Sequence, residues 1–375
     1  MKICLISPHF PPMSYPCGAS HFASMYAKNL ADAGHEVTVL TSNTSSTENQ
    51  ESFKVKIIPG NWNLSHVLKV SKFLNSEGFD LFDIQFETYM YGAKGGVLLL
   101  PYLVKNKIHP ILTMHSEALP KFGGRLWRMI QYTAFKKVIF YSKAFQQNAL
   151  NRFPKRKEDF YQLGFPSNIS KVHYSELQKF TQKIKAKEFS NSPVAIYFGH
   201  INNNRGIEDL LFVVKKLKET GKEFKLILMS QFTPDKNQYH RDLLSEIDSL
   251  GIKENIAFTD RVDDELVSLF FQSADFAILP FTDGASFKNG SLATAVIHSL
   301  PMITTLNEKT ETELQNCSGI KFYPTGDRAK LEEVLMEFFK DRSLWTTYSK
   351  EIEKLGHIYS WNNYIEVRNK IYGVT

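Results

Sequence analysis

The 375-residue sequence predicts an α/β protein made of two doubly wound, Rossmann-like domains. Three observations carry that expectation. Short β-branched or apolar runs alternate with amphipathic stretches through most of the chain. The alternation stops once, in a polar segment between about Ile169 and Pro193, and then begins again. The length also exceeds what one hydrophobic core usually supports.

In chain order, KICLIS reads as the first strand. A helix from about Ser20 places Phe22, Ala23, Tyr26, Ala27 and Leu30 at helical spacing, and Gly34 follows as its stop, so EVTVLT returns parallel to the first strand. KVKII, a helix near Leu64, FDIQF, PILTM and KKVIFYS continue the βαβ rhythm. The segment SKVHYSELQKFTQKIKAKEFSNSP is polar and charged and reads as a linker. Beyond it come VAIYFG, a helix with Ile207, Leu210, Leu211, Val214 and Leu217 on one face, and then FKLILM, NIAFT, DFAILP, PMITT and IKFYP. The expected domains are 1–185 and 186–357, with a closing helix at 358–375.

Composition places the chain among ordinary globular proteins. Cys4, Cys17 and Cys317 form no C-x-x-C pair and no disulfide framework, which points to a reducing compartment. The start, MKICLISPHF, suits a strand better than a signal peptide, and the apolar VLLLPYLV is far short of the roughly 18 residues of a membrane span. A cytoplasmic protein is expected, peripheral on the inner face of the plasma membrane if it meets a membrane at all. The net charge of +6 is modest, but residues 121–157 hold ten Lys or Arg and no Asp or Glu, interleaved with aromatics such as Trp127 and Phe145. That mixture suits an anionic membrane surface, or equally a core strand with a solvated face. It lacks a recognition-helix or RNP-like pattern, so no nucleic-acid partner is expected.

Neither half contains G-x-G-x-x-G or a P-loop, and the eleven histidines are dispersed, with no H-E-x-x-H and no D-x-D pair, so no metal is expected. In open α/β sheets ligands bind beyond the carboxyl ends of the strands, which directs attention to the polar loops there. One of them, DGASFKNGSLAT (residues 283–294), sets glycines, hydroxyls, an amide and Lys288 between apolar runs, as a bound phosphate would need. A second, GHINNNRG, brings Arg205 and Gly206 to the start of a helix, where a cation opposes the dipole unless an anion is present. A third, after PILTM, offers His115, Ser116 and Glu117 as hydrogen-bonding groups for a substrate hydroxyl or phosphate.

These stretches resemble the retaining glycosyltransferases of the large bacterial group often called family 4. ISPHFPPMSYPCGASHFASMYAKNLADAGHEVTVLT is similar to that family's first strand, glycine loop and helix, with Cys17-Gly18 where Gly-Gly is usual. YFGHINNNRGIEDLL resembles the opening of its second domain, AFTDRVDDELVSLFFQSADFAILPF its base-binding segment, SLPMITT the strand after its signature helix, and YSWNNYIEVRNKIY its final helix, which crosses back to the first domain. The chain departs from the pattern at several places. His200 stands where an arginine is common, and Arg205 replaces a lysine. The family's two glutamates fall at about Ser286 and Thr294, as in a variant branch with Asp-Gly-x-Ser before a Gly-Ser helix start and a turn like LGFPSNI.

The resemblance implies the GT-B fold, two Rossmann-like domains facing across a cleft, and transfer of a sugar from a nucleotide-sugar co-substrate with retention, without a metal. It implies a glycan, lipid-linked or small-molecule acceptor. Gly18, His200, Arg205, Lys288, Asn289, Gly290 and Ser291 would bind the donor diphosphate, and Arg261 and Thr294 the nucleoside. His115, Asp283 and Lys288 would be catalytic. Tyr89, Ser116 and Glu117 would take the acceptor, within the loops Phe10–Ser20, Thr88–Gly92 and His115–Glu117. A same-fold epimerase or phosphorylase, and a partner subunit that keeps the fold without activity, stay open as alternatives; the missing glutamates motivate the second.

Overall fold

The computed structural model describes residues 1–12, 18–46, 52–116, 124–172 and 192–373. They form two compact units, Met1–Gly164 with Trp361–Thr375, and Phe165–Ser360. Most of the expected linker, along with Cys17 and Glu117, lies outside the described residues.

The first unit is a seven-stranded parallel sheet, β1 (Lys2–Ile6), β2 (Glu36–Thr41), β3 (Lys54–Ile57), β4 (Leu81–Phe86), β5 (His109–Met114), β6 (Lys137–Phe140) and β7 (Phe160–Gln162), in the order β3-β2-β1-β4-β5-β6-β7. The first helix, Gly18–Asp32, buries the predicted Phe22, Ala23, Tyr26, Ala27 and Leu30, and Gly34 ends it at φ 86. The helix Leu64–Glu77 starts on Asn63, whose side chain accepts from His66 N, and ends on left-handed Gly78. The edge strand β7 was not predicted, because three residues after a proline and a charged run give too little alternation to read.

The helix Trp361–Tyr372 belongs to this first unit. Its Arg368 is fully buried and paired with Asp83 in the middle of β4, and its guanidinium also donates to Tyr26 Oη (2.6 Å) and Thr113 Oγ1 (3.0 Å). A buried charge of this kind persists only when it is both paired and hydrogen-bonded, and Asp83 is held further by Thr113 Oγ1 at 2.8 Å and Tyr372 Oη at 2.9 Å.

The second unit is a six-stranded parallel sheet, β8 (Val194–Phe198), β9 (Lys225–Met229), β10 (Ile256–Phe258), β11 (Phe276–Leu279), β12 (Met302–Leu306) and β13 (Ile320–Pro324), ordered β10-β9-β8-β11-β12-β13. Alternate residues feed two cores. Ile196, Ala277 and Met302 lie in one, and Ala195, Ile278 and Ile303 in the other, so both faces are covered as parallel strands require. Residues from Phe165 onward join this unit: Phe165 N donates to Phe287 O (3.0 Å) and Ser167 N to Tyr359 O (2.9 Å).

Candidate functional site

In each sheet the strand order reverses direction at one place, between β1 and β4 in the first unit and between β8 and β11 in the second. A crevice opens at such a reversal because the following helices leave toward opposite faces. The two loops singled out from sequence follow β8 and β11 themselves, so the fold makes neighbours of segments about 80 residues apart in sequence. They are also joined directly: Thr282 Oγ1 donates to Asn204 O at 3.0 Å, and Gly206 packs so closely that a Cβ there would lie 2.8 Å from Pro280 Cβ and 2.9 Å from its carbonyl oxygen. Gly206 has φ 69, so both its conformation and its contact require glycine.

In the loop after β8, His200 and Arg205 are exposed and Gly206 is the N-cap of the helix Ile207–Glu219. Tyr197, buried beneath, donates to His200 O at 2.8 Å. Burial pushes the Tyr197 phenol up to about 12 although the nearby Arg205 charge pulls it down.

The loop after β11 is braced from several sides. Ala285 N donates to Thr305 O (3.0 Å), Asn307 Nδ2 bonds Asp283 O, and Phe287 N donates to Glu311 Oε2 (3.0 Å). Gly284 sits at φ 76 against Asn307, where a Cβ would lie 2.4 Å from the amide carbon. Asn289 is the N-cap of the helix Gly290–Ile297, but its side chain makes no capping bond and turns back to accept from Ser286 N at 2.6 Å. Neither Asn289 nor Ser291 therefore caps the helix start, which leaves its first amides directed to whatever lies beyond. Asp283 and Gly290 are exposed, and Lys288 is half-buried.

Of the two residues assigned to the nucleoside, Arg261 lies apart from this pair of loops and Thr294 lies in the helix that follows the second. Arg261 is exposed in the loop after β10, the outermost strand and two strands from β8, a lateral offset of roughly 10 Å. Thr294 is buried inside the helix, with Oγ1 donating to Gly290 O at 3.0 Å and 3.3 Å from Ser167 Oγ.

In the first unit Gly18 opens the helix after β1, Tyr89 follows β4 and His115 and Ser116 follow β5, three adjacent strands. Tyr89 is 73% exposed, a large aromatic surface available to a ligand. His115 lies against Phe22 and Tyr141, with Nε2 3.1 Å from Gln85 Oε1. Burial lowers its pKa to about 4, so the imidazole is neutral at physiological pH and serves as a hydrogen-bonding group. Glu87, which sequence reading passed over, joins these two loops: it accepts from Tyr89 N (2.9 Å), Met90 N (3.1 Å) and Ser116 Oγ (3.1 Å). Sequence reading also missed Tyr197, Glu311 and Asn307. Their only signal is polarity at a strand end or just past one, which many solvated residues share.

Residues 16–160 match the family model described as Glycosyltransferase Family 4, and residues 192–341 match that of Glycosyl transferases group 1. No curated protein matches the chain in sequence. Among solved structures, a glycosyltransferase from Rickettsia africae superposes with TM-score 0.77 at 13% identity, over 99% of this chain and 97% of that one. Sucrose-phosphate synthase from Thermosynechococcus elongatus gives 0.74 at 15% identity over the whole of both chains. Anabaena HepE, solved in complex with UDP and glucose, gives 0.72 at 15% identity over 99% of each. The class defined by two Rossmann-like parallel sheets and by family matches in both halves is the glycosyltransferase of GT-B fold. Among the described residues no helix is long and apolar enough to cross a membrane.

Proposed function

We propose that the protein transfers a sugar from a nucleotide-sugar donor to an acceptor with retention at the anomeric carbon. The observation that carries this reading is the pairing of the β8 and β11 loops at the strand-order reversal, each bringing a cation to a helix start. Arg205, Lys288 and the first amides of the helix Gly290–Ile297 meet the diphosphate, and His200 adds a donor on the exposed side. As the sugar–phosphate bond breaks, negative charge grows on the departing nucleoside diphosphate, and preorganised cations and amides stabilise that charge more than they stabilise the bound donor. Asp283, exposed on the same loop, accepts hydrogen bonds from the sugar hydroxyls. Arg261, set to one side, suits the nucleoside end of an extended donor. His115, Ser116 and Tyr89 bind the acceptor. That HepE was solved with UDP and glucose supports a nucleotide-sugar donor.

Incubation with a panel of nucleotide sugars should release free nucleoside diphosphate from one of them, with an α-configured donor giving an α-linked product by NMR. Absence of release across the panel, with nucleotide still bound, would favour a fold-retaining partner subunit, the reading that the absent glutamates at 286 and 294 motivate. This chemistry assigns charge neutralisation to side chains and helix termini, so turnover should survive excess chelator; loss restored only by magnesium or manganese would overturn that assignment.

The same proposal includes peripheral docking through 121–157. The helix Gly124–Thr133 exposes Leu126 and Met129 beside Arg125. Not every cation of the stretch is available. Arg156 donates to Phe135 O (2.7 Å), Lys136 O (2.9 Å) and Asp159 (2.8 Å), and Lys137 pairs with Asp159 at 3.4 Å, so both act within the fold. Arg125, Lys136, Lys143, Arg152, Lys155 and Lys157 are exposed, Lys136 with its ammonium 2.8 Å from His109 Nδ1, at about 1 kcal/mol each near an anionic surface; Lys121 lies outside the described residues. Co-sedimentation with anionic vesicles should fall steeply with salt; equal recovery in the supernatant with neutral and anionic vesicles at low salt would exclude the surface.

A further inference from the structure

The β8 loop is held by side chains that grip its carbonyl groups. Tyr197 Oη donates to His200 O at 2.8 Å, His240 Nε2 donates to Ile201 O at 2.9 Å, and Thr282 Oγ1 donates to Asn204 O at 3.0 Å. Tyr197 and His240 are both buried. His240 is itself fixed in orientation: Thr233 N donates to its Nδ1 at 2.9 Å, so Nε2 carries the proton given to Ile201, and the Phe232 ring stacks on the imidazole at 4.7 Å between centroids.

In a trans peptide the carbonyl and the following N–H point in opposite directions. The only cis bond among the described residues is Pro11–Pro12. With the carbonyls of His200 and Ile201 turned down to buried donors, the amides of Ile201 and Asn202 turn the other way, to the side where His200, Asn202, Asn203, Asn204 and Arg205 are exposed. Successive amides turned to one side form a concavity that attracts anions. The third bond acts differently. It anchors Asn204, which stands at φ 69, to the β11 loop, and so fixes the turn from which Arg205 projects.

We propose that Tyr197, His240 and Thr282 are positioning residues for the donor diphosphate. By holding three carbonyl oxygens away from the ligand, they present the amides of Ile201 and Asn202 and the Arg205 guanidinium in binding geometry before the donor arrives. Without them the loop must be ordered by the ligand, and affinity falls by that ordering cost. This inference rests on the donor reading given above.

The test is calorimetry of UDP, GDP and ADP with the full chain, beside donor KM and kcat. The wild type should bind at least one of the three. Tyr197→Phe, which removes one oxygen, should weaken that nucleotide about three- to tenfold, the effect of one net hydrogen bond. It should raise donor KM by a similar factor while kcat at saturating donor changes by less than about twofold. His240→Leu should do the same, and His240→Gln, which keeps a donor near the Nε2 position, should recover part of the loss. Thr282→Val, at an exposed bond, should show a smaller effect that Thr282→Ser reverses. A lowered melting temperature with unchanged nucleotide affinity in Tyr197→Phe and His240→Leu would show a purely structural role and overturn the proposal while leaving the donor reading intact. Failure of the wild type to bind any of the three nucleotides would overturn both.

Discussion

The carboxylate of Glu311 accepts a 3.0 Å hydrogen bond from the backbone amide of Phe287, so the loop that carries Lys288 is fixed from the N-cap of the short helix Thr312–Gln315, which follows the neighbouring strand β12. Phe287 and Glu311 are both buried, so the amide would lose its acceptor away from bulk solvent. Glu311→Ala should therefore destabilise the second unit by about 1–3 kcal/mol, the cost of a buried unsatisfied amide, and weaken nucleotide binding through the displaced Lys288. Glu311→Gln retains an oxygen acceptor and should stay closer to the wild type. Urea denaturation of the two variants checks this; an Ala variant as stable as the wild type would mean that the loop is held by its other bonds alone.

The pair Arg368–Asp83 ties the closing helix to β4. Arg368→Met leaves Asp83 buried without its counter-charge and should cost about 3–5 kcal/mol, whereas replacing both, as Arg368→Met with Asp83→Leu, should recover most of that loss. Chemical denaturation of the single and double variants gives both numbers. Equal destabilisation in the single and double variants would contradict the desolvated ion pair as the cause.

The pH dependence of stability has a defined direction at His298. Its Nδ1 lies 2.7 Å from Thr294 O and must donate, so Nε2, 2.7 Å from Ser268 Oγ, must accept. Ser268 Oγ already accepts from Val172 N at 3.0 Å and Gln272 Nε2 at 3.2 Å, which leaves only its own proton to give to His298. A second proton on the ring thus meets an oxygen already occupied, and burial lowers the His298 pKa to about 4. The unfolded chain takes up this proton near pH 6.5 and the folded one near 4, so the stabilisation is complete above about pH 6.5 and is lost as pH falls toward 4, up to about 3 kcal/mol. The stability gap between the wild type and His298→Gln should accordingly narrow from pH 7 to pH 4.5. A gap constant with pH would show that the ring does not titrate in this window.

How much of this was legible in the sequence depends on the range of the interaction. The strands other than β7, the first helix with Phe22 to Leu30 inward, and the loops bearing Arg205 and Lys288 were readable, because periodicity and turn chemistry are local signals. The groups that shape those loops were not. Glu311 reaches Phe287 across 24 positions, His240 reaches Ile201 across 39, and Arg368 reaches Asp83 across 285. Asp83 shows the difficulty most plainly: a carboxylate in the middle of FDIQF reads as a solvent-facing strand position, and only its partner far along the chain reveals that it is fully buried. Thr294 shows the converse. Its expected role rests on motif position, and the bond of its buried hydroxyl to Gly290 O is a feature of helix geometry that the motif does not carry.

Titration calorimetry of Arg205→Ala and Lys288→Ala, with the nucleoside diphosphate that binds the wild type, tests the proposed donor-diphosphate site at the β8 and β11 loops. Each variant should lose about 1.5–3 kcal/mol, the range for a hydrogen bond to a charged group, which is roughly 10- to 150-fold in dissociation constant. Wild-type affinity in both variants would place the diphosphate elsewhere.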